Sequence, residues 1–108
     1  MKLNVSKSGT AAVITVEDRM DAQSSPEFEK ACNRLIEDGE KWLVVDLGGL
    51  VYISSAGLRS ILATGKRLKE SGGSLRVCRL GGMVKQVFDT AGFSSIFPVF
   101  DSVDAAAH

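Results

Sequence analysis

The apolar residues of this chain fall in short β-favouring runs that alternate with stripes of helical spacing. Two such runs lie on either side of a polar turn signal at residues 7–10, which predicts an opening hairpin of two strands. Residues 42–47 are apolar at almost every position, as in a strand covered on both faces, and Gly48 and Gly49 are predicted to end it. Further strands are predicted at residues 75–80 and, at an edge of the sheet, 96–100.

Three helical stripes separate the predicted strands. The first helix is predicted to begin at Ser24 and Ser25, because serine side chains can accept hydrogen bonds from the free amides of a first turn. Glycines stop the three helices at Gly39, Gly72 and Gly92. The stripes consist of Phe28, Ala31, Cys32, Leu35 and Ile36; Leu58, Ile61, Leu62 and Leu68; and Met83, Val84, Val87, Phe88 and Ala91. This alternation predicts a single-domain α/β fold: a mixed, largely parallel sheet of about five strands with an opening hairpin and helices packed on it.

Composition and charge narrow the class of protein. The chain has 108 residues and 44% hydrophobic content, enough for one domain at residues 1–108 with a single core. Thirteen basic and thirteen acidic residues balance, so global electrostatics favour neither nucleic acid nor an anionic membrane as the partner. The sequence has no apolar run long enough to span a membrane, and we expect a cytoplasmic location. Cys32 and Cys78 fall in apolar patterns and are interpreted as buried reduced thiols.

The available side chains do not favour an enzyme. The only histidine is the terminal His108, and no Gly-x-Ser-x-Gly elbow occurs, so a serine hydrolase would lack its base. The paired glycines have no neighbouring lysine and Ser/Thr of a phosphate-binding loop. A phospho-aspartate at Asp46 would need an acidic pair on the first strand, which the sequence does not offer. We therefore predict a protein without catalytic residues, cofactor or metal.

The segment before the second helix carries the clearest candidate chemistry. Ser54 and Ser55 occupy its N-cap region, and Gly57 leaves the first turn uncovered. Free amides and the helix dipole favour a negative charge there by roughly 0.3 to 1 kcal/mol, so a phosphate on either serine would be tolerated. Adjacent serines are also an ordinary capping arrangement, and capping and phosphorylation can coexist.

The sequence around these serines resembles a known family. Residues 44–62 are similar to the signature of anti-sigma factor antagonists, the small bacterial members of the STAS domain family. Residues 19–22, 72–75 and 84–93 resemble further segments of the same family, in the same order. The resemblance covers nearly the whole chain and implies a STAS-like fold.

The resemblance also implies a partner-switching mechanism. An unmodified antagonist binds an anti-sigma factor that is also a serine kinase of the GHKL ATPase type, and so releases the sigma factor. Phosphorylation by that kinase weakens docking, and a PP2C-type phosphatase reverses it. The residues that the resemblance places at the docking site are Asp21, Ser54, Ser55, Ala56, Gly57, Leu58 and Arg59.

The chain departs from the family pattern at the serines. Many members read Asp-Ser-Ser-Gly where this chain reads Ser54, Ser55, Ala56 and Gly57, and alanine cannot accept phosphate. The resemblance therefore implies Ser55 as the acceptor, with Ser54 as the second choice. Asp18 stands where the family commonly has glycine.

The sequence leaves open both the role of the basic second helix and the choice between a phosphorylation switch and a permanent interaction subunit. The basic excess between residues 56 and 88 predicts a positively charged second helix that complements an acidic partner, although an ordinary solvated face would look the same. The alternative to a switch is a STAS interaction subunit, either a scaffold or transporter-associated, that never cycles through phosphate.

Overall fold

The computed structural model describes all 108 residues. Five strands and four α-helices form one α/β domain. In chain order they are β1 (Lys2–Ser8), β2 (Ala11–Met20), α1 (Ser25–Glu37), β3 (Trp42–Ile53), α2 (Ser55–Glu70), β4 (Ser74–Cys78), α3 (Gly82–Thr90), a short 3-10 helix (Phe93–Ser95), β5 (Val99–Phe100) and α4 (Val103–Ala107).

The five strands lie in the spatial order β1-β2-β3-β4-β5. The opening hairpin pairs β1 with β2 antiparallel, and every other neighbouring pair is parallel. Helices α1, α2 and α3 bury their apolar stripes in the main core on one face of the sheet, whereas α4 places Ala106 in a smaller cluster on the other face. The predicted mixed sheet of about five strands is confirmed.

The double glycine does not end the central strand as predicted. β3 continues through Gly48 and Gly49 to Ile53, and the pairing of β2 with β3 shifts register between Thr15 and Glu17. A Cβ on Gly49 would lie 2.8 Å from Cγ of Glu17. The glycines therefore mark an irregularity where side chains approach the backbone closely.

Two further predictions of detail are wrong. The final strand is only Val99–Phe100, because residues 93–95 form a 3-10 turn that packs Phe93 into the core. Met83 and Ala91 are exposed, so the buried stripe of α3 is carried by Val84 and Phe88. Both errors arise at element ends, where sequence patterns are least informative.

Cys32 and Cys78 are fully buried free thiols, as predicted. Burial away from water disfavours the thiolate and raises the pKa of Cys32 to about 12 and that of Cys78 to about 11. Both thiols are consequently unreactive at neutral pH. None of the helices is both long enough and apolar enough to cross a membrane.

Candidate functional site

The candidate site forms where the parallel strands β2 and β3 end side by side. Met20 lies opposite Ile53 in the register of the two strands. The backbone N–H of Ser54 donates to the carbonyl of Met20 at 2.9 Å, which joins the two turns that follow the strands. This pairing brings the turn with Asp21 next to the start of α2, at the carboxyl edge of the sheet, where open α/β folds commonly place their sites.

The two candidate serines have different environments. Ser54 is the N-cap of α2, with extended backbone (φ −94°, ψ 174°), and its hydroxyl accepts a hydrogen bond from the N–H of Gly57 at 3.3 Å. Ser55 is the first helical residue, is exposed, and its hydroxyl makes no hydrogen bond within the chain. The hydroxyl of Ser54 is therefore engaged in capping α2, whereas that of Ser55 is exposed and has no hydrogen-bond partner within the chain.

Removing each hydroxyl separately should show this difference in stability. We expect Ser54→Ala to lower the free energy of unfolding by about 1 kcal/mol, because it deletes the N-cap acceptor. Ser55→Ala should change it by less than about 0.5 kcal/mol, since an exposed hydroxyl without a partner is lost. Urea unfolding followed by circular dichroism measures both values. Equal losses in the two variants would contradict the assignment of the cap to Ser54.

Gly57 is required by close packing. A Cβ at this position would lie 2.8 Å from Cγ1 of Ile53 and 3.0 Å from the carbonyl oxygen of Met20. That carbonyl is the acceptor for the N–H of Ser54. The first turn of α2 is thus seated directly on the paired strand ends, and only glycine leaves the necessary space.

Asp21 organises the neighbouring turn. Its Oδ1 accepts hydrogen bonds from the backbone N–H groups of Gln23 and Ser24, both at 3.0 Å, and from the Ser24 hydroxyl at 3.1 Å. The backbone and side-chain hydrogen bonds from Ser24 hold the pKa of the Asp21 carboxyl below its ordinary value, because they stabilise the charged form. Asp21 is therefore a structural anion at the entrance to α1.

This arrangement corrects the expectation that the serines cap α1. The Ser24 hydroxyl accepts from the N–H of Asp21 at 2.9 Å rather than from the first turn of the helix. The hydroxyl of Ser25 donates to the carbonyl of Asp21 at 2.5 Å. Both serines tie the helix start back to Asp21.

Asp18 has an unusual backbone conformation. It has φ 74°, in the left-handed region, next to a register shift between β2 and β3. Aspartate tolerates this conformation better than most residues other than glycine. Asp18, which stands where the resembling family commonly has glycine, therefore has a backbone conformation that glycine adopts readily.

The remaining residues predicted at the docking site differ in solvent exposure. Ala56 is partly buried, and the partly buried Leu58 packs against the main core, which helps to hold the helix in place. Arg59 is exposed and takes part in no ion pair. Of the predicted docking residues, Ser55 and Arg59 are the two that are exposed to solvent.

Two apolar residues near this edge are exposed, and their exposure was not predicted from the sequence. The side chain of Val51 is 64% exposed on the last part of β3, and that of Met83 is 58% exposed in the first turn of α3. Both lie towards the carboxyl edge, because β3 and β4 are parallel and α3 follows β4. Val51 sat within an apolar run and Met83 within a helical stripe, so no sequence signal separated them from core residues.

The basic excess concentrates on α2. Arg79 pairs with Asp46 at 3.1 Å and Lys85 with Asp89 at 2.9 Å, which offsets two of the charges outside this helix. The basic residues of α2 form no ion pairs; they are Arg59, Lys66, Arg67 and Lys69. The predicted positive helix is present as a set of exposed cations.

Comparison with known proteins gives consistent matches. A family model described as the STAS domain matches residues 2–106. BtrV of Bordetella bronchiseptica, described as a candidate anti-sigma factor antagonist, is 38% identical over 107 residues, which cover 99% of this chain and 92% of BtrV. An anti-sigma factor antagonist from Mycobacterium paratuberculosis superposes with a TM-score of 0.88 at 25% identity, covering 97% of this chain and 89% of that chain. Bacillus SpoIIAA in its phosphorylated form superposes with a TM-score of 0.77 at 14% identity, covering 97% and 96%.

The chain belongs to the STAS domain family. The length and identity of the match to BtrV place it among the anti-sigma factor antagonists of that family, so the family predicted from the sequence is confirmed. These antagonists are regulatory binding proteins rather than enzymes, and the family implies an anti-sigma factor as the partner.

Proposed function

We propose that the unphosphorylated chain binds an anti-sigma factor that is also a serine kinase of the GHKL ATPase type, and that phosphorylation of Ser55 weakens this binding. A PP2C-type phosphatase then restores the docking form. The cycle takes place in the bacterial cytoplasm. Its output is the release or recapture of the target of the anti-sigma factor.

The observation that carries the proposal is the free hydroxyl of Ser55 at the start of a 16-residue helix. A kinase can reach this exposed side chain without disturbing the cap made by Ser54. The first turn of α2 contains no acidic residue, so the positive end of the helix is not already compensated there. Bacillus SpoIIAA, which has the same fold, was solved in its phosphorylated form, so this architecture accommodates a phosphate.

The docking surface is defined here as Val51, Ser55, Arg59 and Met83, beside the turn at Asp21. All four side chains are exposed: two are apolar, one is a cation and one carries a modifiable hydroxyl. A phosphoserine at position 55 would add about −1.5 to −2 charges to this surface at neutral pH. Apolar contacts formed around an unmodified serine would then have to enclose a dianion, which is costly to remove from water.

Phosphate mapping tests the acceptor. We expect a cognate kinase and ATP to label the wild-type chain once, with the phosphate on Ser55 as located by mass spectrometry. Ser55→Ala should abolish the labelling, and Ser54→Ala should retain it, because the Ser55 hydroxyl is exposed and takes no part in the cap.

The same experiment separates the rival interpretations. Labelling that persists in Ser55→Ala and disappears in Ser54→Ala would move the acceptor to the cap residue. A wild-type chain that binds the kinase but is never labelled would support the non-cycling interaction subunit. Ser6→Ala, at an exposed serine on the edge strand β1, is the matched control and should be labelled like the wild type.

A further inference from the structure

A groove that the proposed switch does not use lies between the C-terminal half of α2 and the segment entering β5. Its volume is about 510 Å³, within the range of roughly 300 to 1,000 Å³ that is usual for small-molecule sites in proteins. Ser55 and Lys66 are eleven positions apart in the same helix, which places the groove about 16 Å along the axis from the candidate acceptor. The groove and the docking surface are separate regions.

The apolar floor of the groove is fixed by a glycine. Gly65 is buried in α2, and a Cβ there would run into the ring of Phe97. Phe97 is only 7% exposed, and its ring packs edge-to-face on Phe93 with centroids 5.9 Å apart. The buried Leu75 contributes the neighbouring wall from β4. The floor is therefore rigid as well as apolar.

The rim of the groove combines apolar surface with positive charge. Ile96 lies at one side and is 53% exposed, so about half of this apolar residue is left uncovered by the chain. Lys66 and Lys69 line the helix side, and neither forms an ion pair. No acidic residue lines the groove. This combination matches a ligand that has an apolar body and an anionic group.

We propose that the groove binds a small apolar carboxylate. Its chain or ring lies on Phe97 and Ile96, and its carboxylate lies near the ammonium groups of Lys66 and Lys69. The site is a half-open groove of limited size rather than an extended flat face, which suits a small molecule better than a protein segment. A standard protein interface needs about 800 Å² from each partner, far beyond the reach of such a cavity.

Sodium decanoate is the probe, with 1-decanol as the ligand of matched apolar body and no charge. We expect decanoate to cause saturable shifts of the amide signals of Gly65, Gly73 and Ile96 in ¹H–¹⁵N spectra. Decanol should bind at least about fivefold more weakly, because it lacks the carboxylate that would contact the two exposed ammonium groups. The double variant Lys66→Gln with Lys69→Gln should weaken decanoate by a similar factor and leave decanol unchanged.

Two further variants keep the test independent of folding. Ile96→Asp changes a half-exposed residue and should weaken both ligands, whereas Lys30→Gln, at an exposed lysine of α1, should weaken neither. The proposal would be overturned by the absence of saturation up to about 5 mM decanoate, by shifts centred on another surface, or by equal affinity for decanol. Tighter binding of a short peptide of alternating leucine and aspartate would overturn the assignment to a small ligand.

Discussion

Ser55→Asp is expected to weaken binding of the chain to its anti-sigma factor by about tenfold or more, a loss of about 1.4 kcal/mol or more. The carboxylate would stand at the exposed first position of α2, on the proposed docking surface that also includes the exposed apolar residues Val51 and Met83. Docking would then bury a new charge among apolar contacts. Titration calorimetry with the kinase that labels Ser55 measures the change.

Two controls define what this result means. Ser55→Ala adds no charge and should bind within about twofold of the wild type, because the hydroxyl has no partner within the chain. Ser6→Asp places the same charge on an exposed strand residue away from the docking surface and should also bind normally. If Ser55→Asp and Ser55→Ala bind equally well, negative charge at this position does not control docking, and the non-cycling interpretation gains support.

The expected loss of affinity depends on the negative charge at position 55. It should therefore also depend on the charged groups around that position. Arg59 lies four positions further along α2 and is exposed, on the same side of the helix. In the free chain this guanidinium and the helix N-terminus both favour an anion at Ser55. The phosphorylated chain can therefore be stable on its own and still be a poor partner, which is the combination that a switch requires.

The order of the elements could be predicted from the sequence because apolar periodicity changes sharply between strands and helices. Residues 43–47 and the stripe with Ile61 and Leu68 are buried as their patterns indicate, whereas Trp42 at the start of the predicted strand is 45% exposed. The continuation of β3 past Gly48 could not be predicted, because it depends on side chains of neighbouring strands: Arg79, from the end of β4, lies over Gly48 and pairs with Asp46.

The sequence predicts a candidate site at the start of α2, but not the local structural roles of its residues. Whether Ser54 or Ser55 caps α2 depends on a one-residue difference in where the helix begins, and sequence patterns do not fix helix ends that closely. Asp21 remains a predicted docking residue, and its hydrogen bonds show a structural role that the sequence did not predict, in shaping the turn into α1. The exposure of Val51 and Met83 follows from the ends of neighbouring elements, which only the three-dimensional arrangement defines.

Gly57→Val is expected to lower the free energy of unfolding by about 3 kcal/mol, the upper part of the usual range for overpacking a filled site. The new Cβ would press on Ile53 and on the carbonyl of Met20. Because that carbonyl accepts the Ser54 N–H, relief of the clash would pull α2 away from the paired strand ends. For a domain of this size, the melting temperature should fall by roughly 10 to 20 °C in differential scanning calorimetry.

Gly81→Val is the matched control. Gly81 precedes α3 at the same edge of the sheet, has extended backbone (φ −160°), and has no atom within 4 Å of a Cβ built on it. Its replacement should cost less than about 1 kcal/mol, the effect of a poorer N-cap. Similar melting temperatures for Gly57→Val and Gly81→Val would show that the first turn of α2 can shift without cost. The docking surface would then be an adjustable element rather than one held in place by the strand ends beneath it.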